Sequence, residues 1–493
     1  MYNKIITENE MNFNEFEKKI FKFVCLIGCM LIKYFLEKQD KKLANTRDKT
    51  LYRNKGKRKN TIKTIMGEVE YERTMYVFEG KYIFLLDEKL KIGASGKISD
   101  NLVEKVVEVA AESRSYRAAK KKLELISNIT ISYQWINKLT VETGEKIAQK
   151  EKEEMMFMDK NQLIEGTREI VALFEETDGL WINLQGNDRK TRLKKQQEEL
   201  EKKGKSLNPK AKIKTELKLH VMYEGWKKGD TRHTLINKQA IAGIMKPKEI
   251  VRLRDARIYQ KYKADKIKLR VVNADGAKWT KGITPKDGVY QKDAFHIQQE
   301  IVRDVPKEYR NTIIKLIEEK EYGLIPNVIE KLKYEVGGEE KAIKKLDTLK
   351  SYLSSGMARY QDIAKVPQAP DGIEYRNMGT QESQIFSFLK VRFCSGRKAF
   401  SIRGANALAK VCVAVKERNL KIEEIETPIP IDKSDEEWIE EIEKQLKLHR
   451  NKVKISNNIK NENNCKNINL GNAPKFLREI LKEKSFIDMK CSY

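Results

Sequence analysis

The stretch FEETDGLWINLQG at 174–186 sets Glu175, Glu176 and Asp178 inside a run that is otherwise apolar and β-branched. The flanking VALF and LWINL have the content of a buried strand. A carboxylate in such a strand costs desolvation energy unless a metal ion, a cationic partner or water compensates it. The plain alternative is a hairpin turn at Thr177-Asp178-Gly179. Two further acids stand in matching contexts. Asp275 closes the β-run KLRVV in NADGAKW, and Glu382, in GTQESQIF, opens the first helix after a long helical block. Carboxylates from two neighbouring strands and a helix would offer the hard oxygens that Mg²⁺ or Mn²⁺ prefers. Two such ions, roughly 3.5–4 Å apart, stabilise both the entering and the leaving oxygen of an in-line phosphoryl displacement. Strand alternation puts Glu176 on the same face as Asp178, which makes it the fallback ligand. Asp287, in a Pro-Lys-Asp-Gly turn, is the competitor of Asp275.

The elements that must position these acids follow from the pattern. The first strand is read over 170–185, TELKLHVMYEGW (215–226) and RHTLINKQAIAGI (232–244) as the next two, then a helix over 247–266 with Pro247 in its first turn. KLRVV supplies a fourth strand and GVYQKDAFHI (288–297) another β-like piece. Three strands, a helix and a fourth strand begin the ribonuclease H arrangement, a mixed sheet with one acid on its central first strand and another at the end of the fourth. Residues 299–366 are helical in pattern, as are 381–417. Upstream, SRSYRAAKKKLELI, a polar break and Ser132 as N-cap of ISYQWINKLTVETG predict a helix-turn-helix within 98–150, although any helical hairpin gives this pattern.

Lys and Arg total 99 against 72 Asp and Glu in 493 residues, a formal net charge of +27. That excess points to a polyanion, nucleic acid first and an anionic membrane surface second. AT-rich coding also inflates lysine, so clustering carries more than the total. Residues 41–63 hold ten basic residues and one acid, Asp48, and read as an extended basic arm that includes Lys57, Arg58 and Lys59. Residues 65–86 read as two strands joined through Glu79-Gly80. Between Arg189 and Lys214 lie eleven basic residues, among them Lys194 and Lys195, and three glutamates. This excursion is either a solvated helix or a phosphate-contacting one. Arg392, Arg397 and Lys398, just after the Glu382 helix, are placed to grip DNA. Six scattered cysteines without a CxxC pair, and four histidines, argue against a zinc finger and suit free thiols in a reducing cytosol. The apolar run 21–35 is interrupted by Lys22 and Lys33 and reads as an amphipathic or buried helix.

Taken together, these motifs carry a resemblance. IKTIMGEVEYERTMY, FLLDEKL, SYRAAKKKLEL, ISYQWINKL, TDGLWINLQG, MYEGW, NADGAKW, DAFHI and GTQESQIFSFLKVRF occur in the order seen in bacterial insertion-sequence transposases of the ISLre type. Those are catalogued as an uncharacterised family and are related to the Mutator-like DDE transposases. The chain resembles them over roughly residues 10–420. The resemblance implies that Asp178, Asp275 and Glu382 form the DDE triad. It also implies that the helices between Asp275 and Glu382 are an insertion domain, and that His296, in Asp293-Ala-Phe-His296, positions a phosphate or the scissile strand. A strand-end histidine packed in the core is the alternative for His296. Phe400-Ser401 departs from the Trp-Ser of many members.

The expectation is therefore an α+β multidomain protein with a ribonuclease H-like mixed-sheet core, an all-helical insertion and an N-terminal helix-turn-helix region. Its parts are 1–97 (helix, basic arm, hairpin), 98–168 (helix-turn-helix and linker), 169–298 (core, first part), 299–372 (helical insertion), 373–420 (core helix with the third acid) and 421–493 (an acidic then Asn-rich tail). The expected activity is cleavage and strand transfer of double-stranded DNA with two Mg²⁺ or Mn²⁺ ions, by a homodimer or higher oligomer in the bacterial cytoplasm. A structure-selective nuclease, an inactive DNA-binding relic and a membrane-surface protein are the alternatives.

Overall fold

The computed structural model describes residues 12–92, 97–127, 129–204, 206, 212–230, 232–335, 339–354, 360–396, 398–418 and 420. The tail from 421, and Arg397, lie outside the described residues. Helix α1 (Phe13–Thr46) carries the apolar run 21–35 and packs on a three-stranded antiparallel sheet of β1 (Arg53–Thr64), β2 (Gly67–Phe78) and β3 (Lys81–Ile83). Among the described residues no helix is long and apolar enough to cross a membrane. Buried Asp40 fixes the packing by accepting from Thr74 N (3.0 Å) and Thr74 Oγ1 (2.7 Å). The predicted free basic arm over 41–63 is instead the end of helix α1 up to Thr46, a short turn, and strand β1 from Arg53. Its lysines gave no apolar period because that strand is solvated along most of its length.

After the short helix α2 (Leu85–Leu90) come α3 (Asp100–Glu112), α4 (Tyr116–Ile126) and the long α5 (Tyr133–Asp159). Ser99, Ser115 and Ser132 cap them, each side chain accepting from a backbone N–H of the first turn. Much of α5 is a packing helix, buried against α7 (Pro247–Lys261) and α16 (Ile402–Lys416). A Cβ at Gly144 would lie 2.2 Å from the Ala407 carbonyl oxygen, so glycine sets that close approach.

The central feature is a five-stranded mixed sheet. Strand β4 (Ala172–Asn183) is continuous through Asp178, so the turn reading of Thr177-Asp178-Gly179 is excluded. It pairs antiparallel with β5 (Lys214–Tyr223), which pairs antiparallel with β8 (Gln239–Gly243). On its other side β4 runs parallel to β9 (Leu269–Ala274), and β9 runs parallel to β10 (Val289–Lys292). The order is β10-β9-β4-β5-β8, with the first strand central. The single strand predicted over 232–244 is instead β7 (His233–Leu235), paired with β6 (Trp226–Lys228), and then β8. A left-handed Asn237 (φ 49°) stands between them. Leu173, Met222 and Ile241 face α7, with Leu253 and Ile258, on one side. Phe174, Leu180, Leu219 and Val271 join α3, α5 and α16 in the main core on the other.

The charged excursion forms α6 (Gly186–Glu201), which has no buried residue. After the single turn α8 (Lys278–Lys281), helices α9 (Ala294–Asp304), α10 (Lys307–Glu318), α11 (Ile325–Glu335) and α12 (Glu340–Leu353) enclose a core of their own. Ile297 and Ile301 belong to it, so this helical unit begins a few residues before 299. A short α13 (Tyr360–Ile363) precedes the loop to α14 (Gln381–Ile385), a π-helical turn (Phe386–Lys390) and α15 (Val391–Phe393). The helix predicted over 381–417 is thus broken before α16, where Phe400 bridges to Leu184 beyond the end of β4.

Candidate active site

Strand alternation gives the three acids of β4 three different environments. Glu175 faces α7 and is fully buried. Arg270 Nε donates to it at 2.7 Å, Arg254 Nη1 at 3.3 Å, and His220 Nε2 lies 3.2 Å away. Burial alone would raise its pKa, but the charges of Arg270 and Arg254 outweigh burial and hold it well below the carboxylate range. This is a structural ion cluster.

Glu176 faces the opposite side with Asp178. Tyr223 Oη and Thr380 Oγ1 both donate to its Oε1 at 2.7 Å, and Asn273 Nδ2 stands 3.5 Å from Oε2. Asn273 reaches Asp293 (3.3 Å) and accepts from Gln291 (2.9 Å). The oxygens of Glu176 are thus held by neutral donors inside the core, whereas a ligand to a metal would need them free. Burial raises its pKa.

Asp178, 8% exposed, accepts one hydrogen bond among the described residues, from Gly179 N at 2.6 Å. Burial pushes its carboxyl up to about 6; the Gly179 N–H and the charge of His296 oppose this, and the charges of Asp275 and Glu382 add to it. His296, Asp275 and Glu382 therefore each lie close enough to act on Asp178. The β4–β9 register pairs Glu176 with Asn273 and Thr177 with Ala274, and one step further sets Asp178 beside Asp275. Asp275 caps its own turn through Ala277 N (2.9 Å), its carbonyl accepts from Tyr352 Oη (2.9 Å), and Gly276 follows at φ +91°. Asp287 is exposed in its turn.

Glu382, half-exposed in α14, is paired with Lys390 one helical stretch later. Among the described residues no three His, Cys, Asp or Glu side chains are close enough together to enclose a metal ion. The donor set nevertheless fits a hard divalent cation. Among the described residues neither Asp178 nor Asp275 has a Lys or Arg ion-pair partner; the charge of His296 is the nearby compensation, and the like charges of the two acids raise the cost of ionising the buried member.

His296 sits in the first turn of α9, not at a strand end. Asp293 is the N-cap, accepting from Phe295 N (2.9 Å) and His296 N (3.3 Å), with His296 Nδ1 3.4 Å from the same carboxylate. Burial would lower the imidazole pKa, but Asp293 and then Asp178 and Asp275 raise it. Sequence reasoning missed Asp293 as the group that orients His296, although an acid directly before a helix start is the usual N-cap signal.

The sequence profile described as Uncharacterised protein family (UPF0236) matches residues 6–212 and 200–426. The chain belongs to that family. A UPF0236 protein of Caldanaerobacter subterraneus subsp. tengcongensis is 24% identical over 96% of this chain and 92% of its own length. A second from that organism is 25% identical over 70% of this chain and 66% of its own. A UPF0236 protein in the vanSb 3′ region of Streptococcus gallolyticus is 31% identical over 25% of this chain and 26% of its own. Among solved structures, the Drosophila P element transposase strand transfer complex matches 67% of this chain and 84% of its own at 9% identity. Its TM-score of 0.20 is too low to relate the two folds.

The basic residues of this UPF0236 chain differ in availability. Lys57 and Lys59 on β1 meet Glu72 (3.7 Å) and Glu70 (3.1 Å) across the hairpin, while the Arg58 side chain donates to the Lys57 carbonyl at 2.9 Å. Lys194 and Lys195 are exposed on α6. Arg392, expected as a surface grip, is instead 3% exposed, its guanidinium 4.5 Å from the centre of the Tyr116 ring. Lys398 donates to the Arg392 carbonyl at 2.9 Å. Cys25, Cys29, Cys394 and Cys412 are free thiols.

Proposed function

We propose that this UPF0236 chain is a DNA transposase of an insertion sequence, with a ribonuclease H-like core, that cleaves and joins DNA ends by metal-dependent phosphoryl transfer. One observation carries the reading. Asp178, a buried carboxylate that among the described residues has no Lys or Arg partner, stands on the central strand of a sheet ordered 5-4-1-2-3, with His296 nearby and Asp275 at the end of the parallel neighbour. A buried acid held so suits compensation by a bound cation beyond what His296 supplies.

Asp178, Asp275 and Glu382 would hold two Mg²⁺ or Mn²⁺ ions. Such ions activate a water and stabilise the entering and leaving oxygens of the displacement. The remaining work belongs to the chain's own groups. Asp293 orients His296 and favours its charged form, which suits it to hold a phosphate oxygen of the scissile strand. Glu176, through Asn273 and Thr380, ties the two strands to the segment that presents Glu382. Lys390 competes for Glu382 until Glu382 takes up its role. The net charge of +27 and the exposed Lys194 and Lys195 support double-stranded DNA as partner, with Lys57, Arg58 and Lys59 as outer contacts. Joining two ends calls for at least a dimer on DNA, and a bacterial cytoplasmic location follows from that substrate. The α4–α5 hairpin is the proposed end-binding element.

The test is Mg²⁺-dependent cleavage and joining on a duplex carrying the flanking inverted repeats, wild type beside Asp275→Asn. Joined products lost in the variant support the transposase. Cleavage without joining assigns a nuclease. Specific binding without cleavage by the wild type assigns a DNA-binding relic, in which the Glu382–Lys390 pair is the resting end state.

A further inference from the structure

The N-termini of three helices meet around one cavity of about 920 Å³. Ser115 and Tyr116 open α4, Tyr133 and Gln134 open α5, and Ser401, Arg403 and Gly404 open α16. Helices of 11, 27 and 15 residues each present a positive dipole end there.

Four cations line the same space, of which Lys138 and Arg403 are paired with glutamates and, among the described residues, Arg392 and Lys398 are not. Arg392 is 97% buried; its Nη1 reaches the Arg114 carbonyl at 3.4 Å, while its Nε has no hydrogen-bond partner. Leaving such a donor unmade costs about 1–3 kcal/mol, so it points to an acceptor that arrives from outside. Lys398 donates to the carbonyls of Arg392 and Arg114 and to Ser395 Oγ. Burial, and then the charge of Arg392, bring its pKa down to about 8. Neither cation has a carboxylate partner among the described residues. The carboxylates nearby are already engaged, Glu142 with Lys138 (3.7 Å) and Glu145 with Arg403 (2.5 Å).

We propose that this cavity binds a nucleotide of a DNA strand, with Arg392, Lys398 and the helix N-termini taking its phosphate and Tyr133 and Phe400 flanking its base. The inference rests on the transposase reading for the identity of the strand. The volume far exceeds a bare phosphate and lies within the range of organic-ligand pockets. Aromatic walls beside a cationic floor are the means by which proteins hold unstacked bases. Shared elements link the cavity's walls to the acids. Glu382 and Arg392 share one helical stretch, about 15 Å apart along it at 1.5 Å per residue, and Phe400 bridges to Leu184 beyond the end of β4.

The test uses the full chain in EDTA, where no cleavage occurs, and a short fluorescein-labelled single-stranded oligodeoxynucleotide. The exposed rim substitution Lys138→Glu should weaken binding about tenfold with an unchanged melting temperature, and Lys398→Gln should weaken it as much, read beside its melting curve because Lys398 also holds two backbone carbonyls. Arg392→Gln should do the same and is read beside its melting curve, because that side chain is buried. A 2-aminopurine in the oligonucleotide should be quenched by the wild type and less so by Tyr133→Ala. Equal affinity across the cavity variants overturns the proposal. So does a free deoxynucleoside monophosphate that binds in a Lys398-dependent way without competing with the oligonucleotide, since that assigns a free nucleotide. Cleavage of the inverted-repeat duplex is scored separately. Its absence, with the tenfold binding effect retained, sinks the transposase reading and leaves the DNA assignment of the cavity standing.

Discussion

Glu176 and Asp178 share one face of β4, two residues apart, yet only Glu176 is held by side-chain donors. Its Oε1 accepts from Tyr223 and Thr380, whereas Asp178 accepts from a single backbone N–H. Three neighbours hold one buried acid, while the next, among the described residues, has one backbone N–H and the nearby charge of His296.

Substitution should separate the two roles. Asp178→Asn, Asp275→Asn and Glu382→Gln are each expected to lower Mg²⁺-dependent cleavage at least about a hundredfold while DNA binding persists. Glu176→Gln keeps a hydrogen-bonding group between Tyr223 and Thr380 and should retain activity within about tenfold. Cleavage assays on the four variants decide it. If Glu176→Gln is as inactive as Asp178→Asn, Glu176 is a ligand and its neutral partners have misled.

The acidity of Asp178 yields a stability prediction with a definite sign. Its folded pKa of about 6 lies above the ordinary 3.8, so folding favours the protonated form. Its unfavourable contribution is full above about 6 and is relieved as pH falls toward 4; at neutral pH it is on the order of 3 kcal/mol. Asp178→Asn should therefore raise the melting temperature at neutral pH. Mg²⁺ should raise that of the wild type and leave the variant unmoved. Calorimetry with and without Mg²⁺ reads both, and a wild type indifferent to Mg²⁺ and Mn²⁺ argues against a metal at this acid.

Local pattern made some of this legible in the sequence and hid the rest. The alternation of 172–183 and the acid ending KLRVV were enough to place Asp178 and Asp275, because a strand and its terminal turn are local features. The cationic partners of Glu175 were not, since Arg254 and Arg270 come from a helix and a neighbouring strand roughly eighty to a hundred residues away. The β1 strand was hidden for a related reason. Lys57 and Lys59 find their counter-charges across a hairpin, at Glu72 and Glu70, so the segment looks like a free basic arm until it is paired. At Asp293-Ala-Phe-His296 the apolar run before it masked a clear N-cap, and His296 was read onto the wrong kind of element.

The Glu175 cluster should behave as structure. Arg254→Met leaves a buried carboxylate short of one partner and should cost about 3–5 kcal/mol in denaturant unfolding. Because the folded pKa of Glu175 is depressed, its contribution is present above the ordinary carboxylate pKa and is lost as pH falls toward the folded value. The double variant Glu175→Leu, Arg254→Met should recover much of the loss. A single variant as stable as wild type refutes the assignment.

His296 offers a direct spectroscopic check, since the chain has four histidines. Burial lowers and Asp293, Asp178 and Asp275 raise its pKa, with a net upward shift. Its favourable contribution is full below the ordinary pKa and is lost as pH rises through the folded one. Asp293→Asn should move its NMR titration to lower pH, and Asp178→Asn should do so by less. No movement in either variant would separate His296 from the acids.

The basic surfaces should rank by what already neutralises them. Lys57 and Lys59 face Glu72 and Glu70 across their hairpin, so part of their charge is already neutralised and fewer counterions are released when they meet a phosphate. Lys194 and Lys195 stand exposed on a helix that buries nothing, so each is free to replace a counterion on a phosphate. Lys194→Gln with Lys195→Gln should therefore reduce the salt dependence of duplex binding by about two counterions, whereas Lys57→Gln with Lys59→Gln should reduce it by less. Affinities across a salt series give the slopes. Equal slopes for the two pairs would mean that the hairpin glutamates yield their lysines when DNA arrives.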